Sequence, residues 1–164
     1  MTGRLALMCF LAMFLIGVCS PSIQSQDADT ETLKGITAVN VLIEPLPEGA
    51  NVLGLTKEAI QTDVELKLRL AGLRVMTKME GLLHNVDTLV YVSVNLVPTG
   101  EVANIEVQIH QNAHLDRNAA PAFAVTTWER GVLSLHPTAQ RMRDNIKDLV
   151  DQFLNDWLSV NPKK

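Results

Sequence analysis

The amino-acid sequence predicts an α+β protein, a two-layer α/β sandwich in which a mixed sheet of about five strands carries two helices on one face. Segments that alternate between apolar and polar side chains occupy the middle of the chain, as strands do. Two segments with apolar residues at helical spacing lie before and after them. The element order is β-α-β-β-β-β-α, and one sheet face is polar, which leaves the other face for both helices.

The first strand is predicted over residues 36–43, which are rich in β-branched side chains. Pro45 and Pro47 end it, because proline cannot donate to a strand ladder. A loop is predicted over 44–55.

The first helix is predicted to begin after Thr56, a good N-cap, and to end at Gly72, since glycine commonly follows the last helical residue. One apolar stripe recurs between them at helical spacing and comprises Ile60, Val64, Leu68 and Ala71. A short strand is predicted over 73–77, and the order strand, helix, strand implies a parallel crossover. Residues 78–87 fit either one helical turn or a covered loop.

Three successive strands are predicted over 89–97, over 102–115, and from 123 to an end between 128 and 133. The strand over 102–115 has the cleanest alternation in the chain. One side carries Ala103, Ile105, Val107 and Ile109, and the other carries Asn104, Glu106, Gln108, His110 and Asn112. One face of the sheet is therefore exposed to water there.

A long final helix of about 20 residues is predicted from the region of Pro137 and Thr138 to Pro162. Its apolar stripe comprises Met142, Ile146, Leu149, Val150, Phe153, Trp157 and Val160. Charged side chains occupy its other faces.

The N-terminal segment is typical of a secretory signal peptide, which we place over residues 1–25. A single positive charge, Arg4, precedes an unbroken apolar run of 14 residues at 5–18. A membrane-spanning helix needs about 20 such residues. Small residues follow the run, and cleavage after Ser22 and cleavage after Ser25 both fit them.

This organisation predicts an exported, periplasmic protein with one α/β domain over 35–162. A flexible tether over 26–34, which is polar and aperiodic, joins the domain to the signal segment. The alternative is a lipoprotein anchored at Cys19, which ends the apolar run. Val18 precedes that cysteine and is branched, whereas the bacterial lipoprotein pattern has a small residue there, so we favour the free periplasmic protein. Membrane contact is expected only through the signal segment or a lipidated Cys19.

The composition after residue 25 excludes several classes of function. Cys9 and Cys19 are the only cysteines, so signal cleavage leaves no thiol for disulfides, metal ligation, haem attachment or nucleophilic catalysis. Arg4 is the only charge before position 26, so the 139 residues after the signal carry 13 basic and 18 acidic residues. Basic residues do not cluster except at Arg141, Arg143 and Lys147. We therefore expect no nucleic-acid partner.

His110 and His114 have the spacing of the zinc-protease helix motif, but Gln111 replaces the glutamate that would act as base. The stretch also alternates like a strand. On a strand, residues four apart lie about 13 Å from each other, too far to share a metal ion. We therefore predict exposed strand histidines and no metal site.

Other arrangements with recognisable chemistry are not found in the sequence. Ser93 and Ser134 lack the glycines of a nucleophile turn, and Asp148 and Asp151 lie on a polar helix face, as solvated charges do. The glycines at 49 and 54 lack the lysine of a phosphate-binding loop. We predict no catalytic residue and no cofactor, and we favour a non-enzymatic protein.

Trp128-Glu129-Arg130-Gly131 is the most distinctive short stretch. Trp128 and Arg130 are candidates for a partner-binding spot, because tryptophan and arginine are favoured interface anchors. The alternative, which we favour, is a tryptophan that closes the end of the core.

Two longer stretches carry a resemblance. Residues 55–75, Leu-Thr-Lys-Glu-Ala-Ile through Gly-Leu-Arg-Val, and residues 144–162 resemble recurring pieces of small, uncharacterised exported bacterial proteins. With the strands between them the resemblance covers residues 35–162. In element order the chain is also similar to the N-terminal domain of the Tol-system periplasmic protein and to related envelope lipoprotein domains. That similarity implies protein–protein contact in the periplasm and transfers no functional residue.

These observations favour a non-enzymatic periplasmic or envelope binding or assembly module. Its partner is expected to be an envelope protein or a second copy of the chain, held on the wet sheet face around Glu106, Gln108 and His110 or at an edge strand. The alternative is a small-ligand carrier or an enzyme of unfamiliar kind. That alternative needs a pocket between helices and sheet or at the loop 44–54.

Overall fold

The computed structural model describes residues 28–83 and 86–162. The predicted signal peptide over 1–25, and Cys19 with its alternative role as a lipid anchor, lie outside the described residues. Within the described ranges, no helix combines the length and the apolar character that crossing a membrane requires.

A five-stranded mixed sheet forms the centre of the domain, with the strand order β2-β1-β3-β4-β5. The strands are β1 (Ala38–Ile43), β2 (Arg74–Met76), β3 (Leu89–Leu96), β4 (Val102–Leu115) and β5 (Ala120–Leu135). β1 runs parallel to β2 and β3, whereas β3, β4 and β5 are successive antiparallel neighbours. The predicted α+β class with a mixed sheet is therefore confirmed.

The described residues also contain five helical segments. They are a turn α1 over 28–31, α2 (Glu48–Val52), α3 (Lys57–Ala71), α4 (Lys78–Leu83) and α5 (Ala139–Val160). The long helices α3 and α5 are those predicted from apolar periodicity. The short helix α2 lies inside the predicted loop 44–55.

Both long helices begin with a capping threonine. Thr56 Oγ1 accepts a hydrogen bond from the Ala59 backbone N–H at 3.2 Å, and Thr138 Oγ1 accepts one from Arg141 N–H, also at 3.2 Å. At the other end of α3, Gly72 has a φ of 106°, a left-handed conformation that side chains with a Cβ rarely adopt. The predicted boundaries of α3 are confirmed.

The core lies on one face of the sheet, which we call the helix-side face. Its strand residues include Val39, Ile43, Val90, Val92, Val94, Ala103, Ile105, Val107, Ile109 and Trp128. Helix α3 contacts β1 and β2, and α5 contacts β4 and β5. The helices lie side by side, since Arg143 on α5 donates two hydrogen bonds to Asp63 on α3 at 2.8 and 3.0 Å.

Helix α4 occupies the segment that the sequence left ambiguous, and it contacts β1 and β2. Gly81 on α4 packs directly against the side-chain amide of Asn40 on β1. Asn40 neighbours Val39 and Val41 in the strand, so its side chain points away from the helix-side face. The part of the sheet near β2 is therefore covered on both faces.

Replacing Gly81 with alanine is expected to destabilise the domain by about 1–3 kcal/mol, because the new methyl group would overlap the Asn40 amide. Urea unfolding measures the change in the free energy of unfolding. In an Asn40→Ala background the overlap disappears, so the same substitution should cost little or stabilise the helix. Equal costs in both backgrounds would contradict this packing.

The N-terminal residues 28–34 do not form the predicted tether. Leu33 is completely buried in the core. Asn161, at the end of α5, donates to the Leu33 carbonyl at 3.0 Å and accepts from Gly35 N–H at 2.7 Å. Thr32 donates to the Thr127 carbonyl on β5 at 3.2 Å. The tether prediction is therefore wrong for residues 28–34. Leu33 is an isolated apolar residue in the sequence, and the residues that hold it are distant along the chain. Residues 26 and 27 of the predicted tether lie outside the described ranges.

Candidate functional site

The sheet face opposite the long helices, which we call the outer face, is the candidate binding surface. Over β3 and β4 it carries the side chains that alternate with the core residues, so it includes the predicted residues Glu106, Gln108 and His110. Direct strand partners share a face, so Tyr91 lies beside Gln108 and Ser93 beside Glu106.

The polar side chains of β4 form one continuous hydrogen-bonded row. Asn104 Nδ2 donates to Glu106 Oε1 at 2.6 Å, and Gln108 Nε2 donates to Glu106 Oε2 at 3.2 Å. His110 Nε2 lies 2.8 Å from Gln108 Oε1. The structure therefore brings the three predicted residues together and adds Asn104, since residues two apart on a strand point to the same side.

Tyr91 on β3 lies against this row. Its ring stacks on the His110 imidazole, with centroids 5.1 Å apart and planes 19° apart. Partial burial raises the pKa of the Tyr91 hydroxyl, and a hydrogen bond to the Glu44 carboxylate and the negative charges of Glu44 and Glu106 raise that pKa further. Tyr91 and Glu44 are site residues that strand alternation alone did not single out.

The titration of Tyr91 can be measured without interference, because it is the only tyrosine in the chain. We expect tyrosinate absorbance to rise with a midpoint above the ordinary pKa of about 10. The folded state holds this proton more tightly than the unfolded state, so its contribution to stability is full below pH 10 and is lost as the pH rises through the folded pKa. Glu44→Gln should move the midpoint down, and an unchanged midpoint would contradict the contact.

The outer face carries negative charge that nearby cations do not balance. None of the ion pairs between described residues involves Glu44, Glu106 or Glu129. By contrast, two of the three basic residues on α5 are paired with carboxylates, Arg143 with Asp63 and Lys147 with Asp144. The surface can therefore accept hydrogen bonds or cationic groups from a partner.

Trp128 and Arg130 do not join this surface. Trp128 is only 1% exposed and lies on the helix-side face, where its indole N–H donates to Asp156 on α5 at 2.9 Å. Its ring meets Phe153 edge-on at 5.5 Å. The Arg130 guanidinium lies 4.8 Å above the Trp128 ring and 3.1 Å from Asp156. This position agrees with the interpretation that the sequence analysis favoured for Trp128, a side chain that closes the end of the core.

The two histidines of the rejected zinc motif lie on β4, as the alternation predicted. Among the described residues, no group of three or more histidine, cysteine, aspartate or glutamate side chains is placed to hold a metal ion.

An open cleft of about 290 Å³ lies at one end of the sheet. It is lined by residues 34–38 and 86–88 and by Gln111. Gln111 is already engaged, since its amide donates to the Thr32 carbonyl at 3.1 Å and to Thr127 Oγ1 at 2.7 Å. Small-molecule pockets usually exceed about 300 Å³ and are mostly enclosed. This cleft lies neither between helices and sheet nor at the loop 44–54, where the ligand-carrier alternative required a pocket.

Comparisons with known proteins concern the fold alone. No model of a known protein family matches the chain, and no curated protein matches its sequence. The fold is similar to that of PelC from Paraburkholderia phytofirmans, solved as a dodecamer, with a TM-score of 0.46 and 14% identity over 76% of this chain and 89% of that one. It is also similar to a minor lipoprotein from Acinetobacter baumannii, with a TM-score of 0.37 and 11% identity over 78% and 95%.

Proposed function

We propose that the protein is a non-enzymatic binding or assembly module of the bacterial cell envelope, and that its outer face holds the partner. The observation that carries this proposal is the hydrogen-bonded row on β4, from Asn104 to His110, on the sheet face opposite the long helices. The signal-like N-terminal sequence supports the envelope location.

The chemistry of the row indicates the kind of partner. Glu106 accepts hydrogen bonds from two side-chain amides. Glu106 and Glu44 both act on Tyr91, and neither carboxylate forms an ion pair with a described cation. The side chains hold one another in fixed positions, so little conformational entropy is lost when a partner binds. A protein segment with lysine, arginine or amide donors is complementary to this surface.

Site-specific photo-crosslinking in intact cells tests the proposal. A photo-reactive residue at position 108 should yield a discrete adduct with an envelope protein, whereas one at position 62, exposed on α3, should not. Glu106→Lys should reduce the adduct several-fold, and Asp148→Lys, the same charge reversal on α5, should leave it unchanged. Equal yields from both positions, or no adduct at position 108, would contradict the proposal.

A further inference from the structure

The free edge of the sheet is at β5. This strand is 16 residues long and pairs only with β4 among the described residues. The opposite edge strand, β2, has three residues and is contacted by α4. Strand β5 therefore offers the longer edge for an extension of the sheet.

The backbone groups that β5 presents at this edge follow from its pairing with β4. His136 N–H donates to the Glu101 carbonyl at 2.7 Å, and ladder bonds in an antiparallel pair recur every two residues. The register is unbroken from Val102↔Leu135 to Ile109↔Trp128. Even-numbered residues over 128–136 therefore bond to β4, and the N–H and C=O groups of Glu129, Gly131, Leu133 and Leu135 point outward.

Natural proteins usually blunt such an edge with bulges, proline or charged side chains. The first half of β5 is blunted, because it contains Pro121, has a left-handed Ala124 with φ 50°, and has register irregularities opposite 109–113. The second half is regular. Its one cation, Arg130, is turned back onto Trp128 and Asp156, and Leu133 and Leu135 are 68% and 63% exposed.

This regular half of the strand is complementary to itself. In an antiparallel register centred on Val132, Leu133 of each copy lies opposite Gly131 of the other, where the absent side chain leaves room. Leu135 then faces Glu129, and Arg130 faces Ser134, so no like charges meet. A register centred on Arg130 would place the two guanidinium groups together and is disfavoured.

We propose that β5 pairs with the β5 strand of a second copy over residues 129–135, joining two sheets about a two-fold axis. Such an interface is isologous, since each copy supplies the same strand. The outward N–H and C=O groups supply the hydrogen bonds, and Leu133 and Leu135 supply apolar contact on the outer face.

Sedimentation equilibrium tests this pairing on the protein expressed with its own N-terminal segment and purified from cells. We expect a dimer, and we expect Leu133→Lys to raise its dissociation constant by at least about tenfold. Leu70→Lys, at a 75% exposed position on α3, is the matched control and should leave the dimer intact. Circular dichroism and the melting temperature check that both variants are folded.

Hydrogen exchange supplies a second readout. In the dimer the amide protons of Gly131 and Leu133 should exchange more slowly than in Leu133→Lys, where the Gly131 amide is again open to water. A monomeric wild-type protein at micromolar concentrations overturns the proposal, as does a dimer that withstands Leu133→Lys. Neither outcome bears on crosslinking from position 108, so the pairing and the proposed function can fail separately.

Discussion

Replacing Trp128 with alanine is expected to lower the free energy of unfolding by about 3–5 kcal/mol, the range for deleting a buried aromatic side chain. The substitution removes a ring that is 1% exposed, its edge-on contact with Phe153 and its hydrogen bond to Asp156. It also leaves Arg130 without the aromatic surface beneath its guanidinium. Urea denaturation followed by circular dichroism measures the effect.

The matched control for this variant is Phe123→Ala. Phe123 lies in the same strand but is 74% exposed, so its removal should change stability by less than about 0.5 kcal/mol. The contrary result would be a Trp128→Ala protein as stable as the wild type that has lost an envelope partner. That outcome would restore the partner-binding interpretation of Trp128.

Leu33→Ala is expected to lower the free energy of unfolding by about 2–5 kcal/mol, because the side chain is fully buried. If residues 28–34 formed a flexible tether, the same substitution would leave the free energy of unfolding unchanged. The experiment therefore separates the two descriptions of these residues. Leu70→Ala removes the same atoms from a 75% exposed position and should have little effect. A Leu33→Ala protein with wild-type stability would show that the N-terminal turn does not belong to the core.

The elements predicted correctly are those whose burial is periodic over many residues. Strand β4 alternates over its whole length, and α5 repeats its apolar stripe over six turns, so tertiary packing reinforces the local pattern. Caps add a second local signal, and Thr56 and Gly72 marked the ends of α3 for that reason.

The segments that the sequence predicted wrongly or left open lack any such repetition. The N-terminal turn has one apolar residue, Leu33, and its burial depends on Asn161, 128 residues later. Helix α4 spans six residues and includes a glycine, so neither length nor propensity distinguishes it from a loop. Only the position of Asn40 beneath Gly81 explains why that glycine is there.

The candidate site was predictable in part. Alternation on β4 placed Glu106, Gln108 and His110 on one face, and the structure confirms that arrangement. The contributions of Tyr91 and Glu44 depend on the register between β3, β4 and β1, which no single-strand pattern specifies. The sequence already favoured a core position for Trp128, and the pairing with Ile109 places its side chain on the helix-side face.

The contacts of Asn161 with Leu33 and Gly35 have a consequence for the order of folding. A ribosome makes residues 28–34 long before Asn161, so this turn has no complete binding site until α5 has been synthesised. A growing chain that still lacks α5 therefore cannot complete this domain. The N-terminal turn should be among the last parts of the domain to become ordered, and a chain truncated before α5 should expose Leu33 to chaperones and proteases.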